Sequence, residues 1–92
     1  MNLDQKVIFA ETVFAQEVDG EMVLLDMESE SYYGLDEVGT AIWQAMQEYG
    51  TLKEVLSALL EQYDVEPEVL EKDLSDFVGK LVESGLVEVI PN

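Results

Sequence analysis

The hydrophobic and polar positions divide the chain into a first third that favours strands and a remainder in which apolar residues recur at helical spacing. Two β-prone runs, Val13 to Val18 and Glu21 to Asp26, flank Asp19-Gly20. This pair predicts a hairpin, because a type I′ turn needs positive φ at both of its central residues. Met22 to Leu25 is apolar at every position, which predicts a central strand. A polar turn then leads into a short third strand at about 31–35.

The remaining two thirds of the chain predict three helices, each with an apolar face. Asp36 is a candidate N-cap for the first, and Pro67 suits the first turn of the third. Thr51 and Glu54 form a capping box, in which each side chain satisfies the other residue's backbone N–H. Gly50 is expected to end the first helix in the C′ position. The residues expected to face inward from the first and third helices are Val38, Ala41, Ile42, Ala45, Met46, Tyr49, Leu70, Leu74, Phe77, Val78, Leu81 and Val82.

The resulting order predicts an α+β fold of the winged-helix-like kind, in which a three-stranded antiparallel sheet is followed by three helices. The strands are expected at about 12–35, and the helices at 37–49, 51–63 and 67–84. Residues 86–90 favour a short final strand. Because no linker, repeat or low-complexity segment interrupts the pattern, the whole chain is expected to form a single domain.

The composition narrows the classes of function. Net charge is −17, with 21 acidic residues against four lysines, so phosphate backbones and anionic lipids are repelled and cationic peptides are attracted. The chain lacks histidine and cysteine, which removes the commonest general base and the usual ligands of zinc. We therefore expect neither catalysis nor a metal or cofactor. No apolar run reaches a membrane span and no signal peptide is visible at the N-terminus, so the cytoplasm is the expected location.

Several short segments, in this order and spacing, resemble the PqqD-like family, named for coenzyme PQQ synthesis protein D. The resemblance covers roughly Val13 to Val89, nearly the whole chain. The segments that carry it are Gly20-Glu21-Met22-Val23-Leu24-Leu25-Asp26, Tyr32-Tyr33-Gly34-Leu35-Asp36, Gly39, Ile42-Trp43, Thr51-Leu52, Asp73-Leu74, Phe77, Leu81 and Gly85-Leu86-Val87.

The resemblance implies a recognition domain for ribosomally made, enzymatically modified peptides, in the PQQ pathway or a related one. Such a domain binds the leader segment of a precursor and presents it to a modifying enzyme, such as a radical-SAM enzyme or a leader peptidase. The family places the leader as an added strand on the edge of the third β-strand, in a groove walled by the third helix. The matching residues here are Ser31, Tyr32, Tyr33, Gly34, Leu35, Asp73, Asp76, Phe77, Lys80 and Leu81.

The residue types suit such a site, although each also has a structural explanation. An edge strand offers backbone groups to a peptide, and Gly34 lets another backbone approach closely. The structural explanation is that one of the two tyrosines belongs to the core and that Gly34 only relieves a bend before the first helix. On the third helix, Phe77 either lines the groove or lies wholly in the core. Gly79 is explained more simply by close helix packing than by peptide contact, and Trp43 by a place at the core boundary.

Other functions fit the sequence less well. A winged helix that binds DNA needs a basic recognition helix, whereas the third helix is acidic. An acyl carrier protein needs an Asp-Ser-Leu motif at a helix start, and a calcium loop beginning at Asp26 has Ser31 where glycine belongs. A generic acidic interaction module remains the alternative to leader recognition. Monomer and homodimer both remain open, because an exposed edge strand can pair with itself.

Overall fold

A computed structural model of the chain describes residues 3–90. Its elements, in chain order, are β1 (Lys6–Phe9), β2 (Val13–Val18), β3 (Glu21–Asp26), β4 (Ser31–Gly34), α1 (Glu37–Glu48), α2 (Leu52–Gln62), α3 (Pro67–Glu83) and β5 (Val87–Ile90). Strands β2, β3 and β4 form an antiparallel sheet with β3 in the middle. The predicted α+β class, a three-stranded sheet followed by three helices, is confirmed.

The chain also forms a second, two-stranded sheet that the sequence pattern did not predict. Strand β1 pairs antiparallel with β5, with Val7 opposite Val89. The final strand therefore exists, but it joins the N-terminal segment instead of extending the main sheet. This pairing holds residues 6–9 against residues 87–90, and Ala10 N–H extends it by donating to Leu86 C=O at 3.0 Å.

The hairpin between β2 and β3 has the predicted turn. Asp19 and Gly20 have φ values of 52° and 83°, and the residues on either side of them, Val18 and Glu21, are paired. Positive φ at both central residues is the signature of a type I′ turn, whose twist matches that of the flanking strands. This turn fixes the register of β2 against β3.

The helix starts follow the sequence with one difference. Asp36 caps α1, because its side chain accepts from Gly39 N–H at 2.7 Å. Thr51 caps α2 by accepting from Glu54 N–H at 3.2 Å. The Glu54 carboxylate accepts from the Thr51 hydroxyl itself, at 3.0 Å. The predicted exchange, in which that carboxylate reaches the backbone N–H of Thr51, is therefore replaced by a bond between the two side chains.

Helix α3 ends in a Schellman motif. Gly85, with φ of 77°, donates to Val82 C=O at 3.0 Å, and Leu86 donates to Leu81 C=O at 2.9 Å. Helix α1 ends differently, because its last cap residue, Tyr49, is extended with ψ of 144°. Gly50 therefore follows the cap in the predicted C′ position but without the left-handed conformation usual for glycine there, since it is not among the positive-φ residues of the part of the chain that the structure describes.

One hydrophobic cluster joins the sheet to all three helices. Its buried members are Met22, Leu24, Ile42, Trp43, Ala45, Met46, Leu52, Val55, Leu56, Leu59, Leu70, Leu74, Val78, Leu81, Leu86 and Val87. Two residues expected to face inward, Val38 and Val82, are instead 45% and 44% exposed, because they lie on the flanks of their helices.

Trp43 lies inside this cluster and not at its boundary. It is only 2% exposed, and Phe9 of β1 meets its ring edge-on, with ring centroids 4.7 Å apart. Its indole N–H has no hydrogen-bond partner among the described residues. The unpredicted strand β1 therefore contributes directly to the burial of this tryptophan.

Candidate functional site

Strand β4 forms one outer edge of the main sheet. Leu35 N–H, just after β4, donates to Met22 C=O at 2.9 Å, which makes this a hydrogen-bonded pair. Antiparallel pairs alternate between bonded and non-bonded positions, so Tyr33 directs its N–H and C=O toward β3. Tyr32 and Gly34 direct theirs away from the sheet. The edge therefore offers backbone donors and acceptors at two alternate residues.

A groove of about 500 Å³ runs between this edge and α3. Seven of the ten predicted site residues line it, namely Tyr32, Tyr33, Gly34, Leu35, Phe77, Lys80 and Leu81. The structure adds Glu83, Ser84 and Leu86, which are not among the residues predicted from the sequence. Ser84 lies one helical turn after Lys80, so helical spacing alone would have found it.

A second cavity of about 380 Å³ continues the groove toward the start of α1, and the two share Phe77 and Lys80. Asp73 and Asp76 line this second cavity and do not line the first. Ser31 lines neither of them; it pairs with Asp26 at the beginning of β4. Nine of the ten predicted residues therefore line two adjoining cavities, and Ser31 lies outside both.

Gly39 lets α1 approach the junction of the two cavities. A Cβ atom at this position would lie 3.3 Å from Cε1 of Phe77 and 3.2 Å from Oδ1 of Asp36. Both distances are shorter than ordinary van der Waals contacts, so a larger residue would require Phe77 or Asp36 to shift. Gly79 is the opposite case, because within residues 3–90 no atom beyond its chain neighbours and its own helix backbone lies within 4 Å of its Cβ position. The expectation that Gly79 serves close helix packing is therefore wrong.

The floor of the groove is apolar. Tyr33 lies opposite Leu24, which is fully buried, and packs against the core, whereas Tyr32 points to the other face and is 74% exposed. Phe77 is half-buried and also packs against the core, so neither extreme expected for it holds. Leu81 is only 5% exposed, which makes it a core residue whose edge contributes to the floor.

The rim of the groove is acidic. Four exposed carboxylates border the two cavities, from Asp36, Asp73, Asp76 and Glu83, against the single ammonium group of Lys80. An extended peptide with an apolar residue over the floor and basic residues over the rim would match this distribution.

Thr40 of α1 fixes the end of β4 through two hydrogen bonds. Its hydroxyl accepts from Met22 N–H at 2.9 Å and donates to Leu35 C=O at 3.4 Å. Met22 and Leu35 are the pair that already shares one direct hydrogen bond. The hydroxyl thus occupies the position of the second bond of that pair and ties the sheet to α1.

Asp26 organises the turn that leads into β4. Its carboxylate accepts from the Thr12 and Ser29 hydroxyls, both at 3.1 Å, and from Glu28 N–H at 3.0 Å. Burial raises the pKa of Asp26, but these hydrogen bonds together outweigh it and hold the pKa below its ordinary value. The carboxylate that would begin a calcium loop is therefore engaged in a turn. Within residues 3–90, no group of three or more acidic side chains is placed to hold a metal ion.

Comparison with known proteins gives one family and two similar structures. A family model described as coenzyme PQQ synthesis protein D matches residues 21–87. A structure of TbiB1 in complex with the TbiA(beta) leader peptide has a TM-score of 0.83 and 33% identity, covering 88% of this chain and 94% of that one. A structure of lasso peptide synthetase B1 complexed with the leader peptide has a TM-score of 0.81 and 26% identity, covering 90% and 98%. No curated protein sequence matches the chain significantly. No helix among residues 3–90 is long and apolar enough to cross a membrane.

Proposed function

The chain belongs to the PqqD family, and from this membership and its groove we propose that it is a non-catalytic recognition domain for a ribosomally made precursor peptide. It binds the leader segment of the precursor and presents the peptide to a modifying enzyme, in PQQ biosynthesis or a related pathway. The enzyme is a radical-SAM enzyme, a leader peptidase or another peptide-modifying enzyme. We propose the cytoplasm as the place of action, because ribosomally made precursors are released there.

The observation that carries this proposal is the edge of β4 beside an apolar groove. Tyr32 and Gly34 direct backbone donors and acceptors away from the sheet, so an extended peptide can pair with them as a fourth strand. The two similar structures were both solved with leader peptides bound. Backbone pairing supplies affinity for an extended segment, and side-chain pockets supply selectivity.

We propose a division of roles within the groove. Gly34 leaves room for the incoming backbone, since apart from its chain neighbours no described residue lies within 4 Å of its Cβ position. Tyr33 and Phe77 receive an apolar side chain of the leader over the core. Asp73 and Asp76, around the second cavity, favour a lysine or arginine at the end of the bound segment. Lys80, which lies between the two cavities, favours an acidic side chain of the leader at that position.

The test is Gly34→Pro, which removes the outward-facing N–H of Gly34. It is compared with a proline substitution on the opposite edge strand, β2. Met27 N–H donates to Thr12 C=O at 2.9 Å, so the same alternation directs the N–H of Ala15 away from β3 on the β2 edge. Ala15→Pro therefore removes an equivalent N–H from an edge strand, far from the groove. Both variants are checked for folding by circular dichroism and thermal unfolding.

The probes are 20-residue peptides from the N-termini of short reading frames encoded beside the gene, together with a displayed random-peptide library. Isothermal titration calorimetry measures the affinity of each peptide that binds. Gly34→Pro should weaken binding at least tenfold, whereas Ala15→Pro should leave it within twofold of the wild-type value. Loss of binding in Ala15→Pro alone would place the peptide on β2. If no peptide from either source binds the wild-type domain, the alternative of a generic acidic interaction module gains the support that leader recognition loses.

A further inference from the structure

The outer face of the main sheet carries a row of apolar side chains in cross-strand register. Phe14 of β2 lies opposite Leu25 of β3, which lies opposite Tyr32 of β4. Phe14 is 59% exposed and Tyr32 is 74% exposed, while Leu25 is half-buried between them. The other face of β3, with Met22 and Leu24, is buried in the core cluster. Within residues 3–90 the outer face is therefore an uncovered sheet surface with an aromatic row across it.

The charge around this face limits the kind of partner that can bind to it. Glu21 alternates along β3 with Leu25 and so lies on this face, and the turns at the ends of the strands add Asp19, Glu28 and Glu30, whereas segment 13–34 contains no basic residue. A second copy of the chain would set acidic groups against acidic groups, which is unfavourable. A partner with an apolar centre and a rim of lysine or arginine would satisfy both the row and its surroundings.

The row is continuous with the groove through Tyr32. A peptide added to β4 would become the fourth strand, and every second side chain would point to the same face as Tyr32. A protein seated on the outer face would then touch the domain and the bound peptide together. The enzyme that must act on that peptide is the partner for which such a shared surface is useful.

We propose that the outer face of the main sheet, centred on Phe14, Leu25 and Tyr32, docks the enzyme that modifies or cleaves the bound peptide, through a basic-rimmed apolar surface of that enzyme. This inference rests on the proposed leader-peptide function. It adds a second surface, distinct from the edge that pairs with the peptide. Phe14 lies on β2, two strands from the groove, so the two surfaces can be altered separately.

Two variants alter the face, and each has a matched control. Phe14→Ser removes the exposed ring, and Val69→Ser removes an apolar side chain of similar exposure (54%) from α3. Gln16→Lys places a positive charge on the face, beside Phe14, and Gln62→Lys places the same charge on an exposed residue of α2. All four positions are exposed in the folded chain, so each variant is expected to fold.

The probe is the peptide-modifying or peptide-cleaving enzyme encoded beside the gene, immobilised for biolayer interferometry, and the leader peptide is titrated in parallel. We expect Phe14→Ser and Gln16→Lys to bind the enzyme at least tenfold more weakly, with both controls and all leader affinities within twofold of wild type. Unchanged enzyme binding in both face variants, or no binding of the enzyme to the wild-type domain, would overturn the inference. A wild-type dimer in sedimentation equilibrium that Phe14→Ser dissociates would assign the face to a second copy instead. Failure of the leader titration alone would count against the proposed function and not against the docking face.

Discussion

Replacing Thr40 by valine tests whether the end of β4 depends on a side-chain hydroxyl. Thr40 is 5% exposed, and its hydroxyl is bonded to Met22 N–H at 2.9 Å and to Leu35 C=O at 3.4 Å. Valine has nearly the same shape but has no polar atom, so packing is preserved while both hydrogen bonds are lost. The buried N–H of Met22 is then left without its acceptor.

The expected loss of stability follows from that donor. A buried group left unsatisfied costs about 1–3 kcal/mol. The bond to Leu35 is long, and Leu35 is only half-buried, so it adds little. We therefore expect Thr40→Val to lower the free energy of unfolding by about 2 kcal/mol, which for a domain of this size lowers Tm by about 8–16 °C.

Urea unfolding followed by tryptophan fluorescence measures this loss, because Trp43 is the single tryptophan and is buried in the core. Thr40→Ser is the control, since it retains the hydroxyl and removes one methyl group, a change of about 0.8 kcal/mol. Thr40→Val should therefore be the less stable variant. If Thr40→Val is as stable as wild type, or more stable than Thr40→Ser, the hydroxyl does not fix the end of β4.

Three further predictions concern pH, glycine and salt. The pKa of Asp26 is lower in the folded than in the unfolded chain, so its carboxylate stabilises the fold fully above the unfolded-state pKa near 3.8. This stabilisation is lost as pH falls through the lower folded-state pKa. Urea midpoints below pH 4 should therefore fall more steeply for wild type than for Asp26→Asn. Gly79→Ala should stabilise the domain by about 1 kcal/mol, since the Cβ position of Gly79 is open. Gly85→Ala should destabilise the domain by about 1–2 kcal/mol, since the φ of Gly85 is 77°. Thermal unfolding of the two variants measures both changes. Raising salt from low to physiological concentration should weaken leader binding, mainly by slowing association, which stopped-flow measurements follow. If the affinity does not change with salt, the acidic charge serves solubility and not leader binding.

The parts of the fold that the sequence predicted are those with local signals. The Asp19-Gly20 pair specifies its own turn, and Asp36 and Thr51 cap the helices that follow them. Strand β1 has no such signal, because it pairs with β5 at the far end of the chain. A strand of four residues with a distant partner depends on tertiary context, and single-sequence patterns do not contain that context.

The site divides in the same way. The place of β4 at the edge followed from the order of elements and the family resemblance, and a groove does lie between β4 and α3, but binding of the leader there stays a prediction. The depth of each side chain on α3 did not follow, because helical spacing gives direction and not the distance to a neighbour. Leu81 is buried, as its inward-facing position predicts, whereas its neighbour Val82 is 44% exposed although the same spacing placed it inward. The helical pattern predicts a packing partner for Gly79, but no described side chain lies within 4 Å of its Cβ position.

The acidity of the chain and the open edge of β4 have a common physical consequence. An unpaired strand edge is a template for pairing with another copy of itself, and natural edges are kept short or charged for that reason. Strand β4 has only four residues, and the groove beside it is bordered by Asp36, Asp73, Asp76 and Glu83. Pairing of two β4 strands would bring these carboxylates of two copies together, whereas a basic peptide strand would neutralise them. The same charges thus oppose self-pairing and favour the peptide, and added salt weakens both effects together, since it screens repulsion and attraction alike.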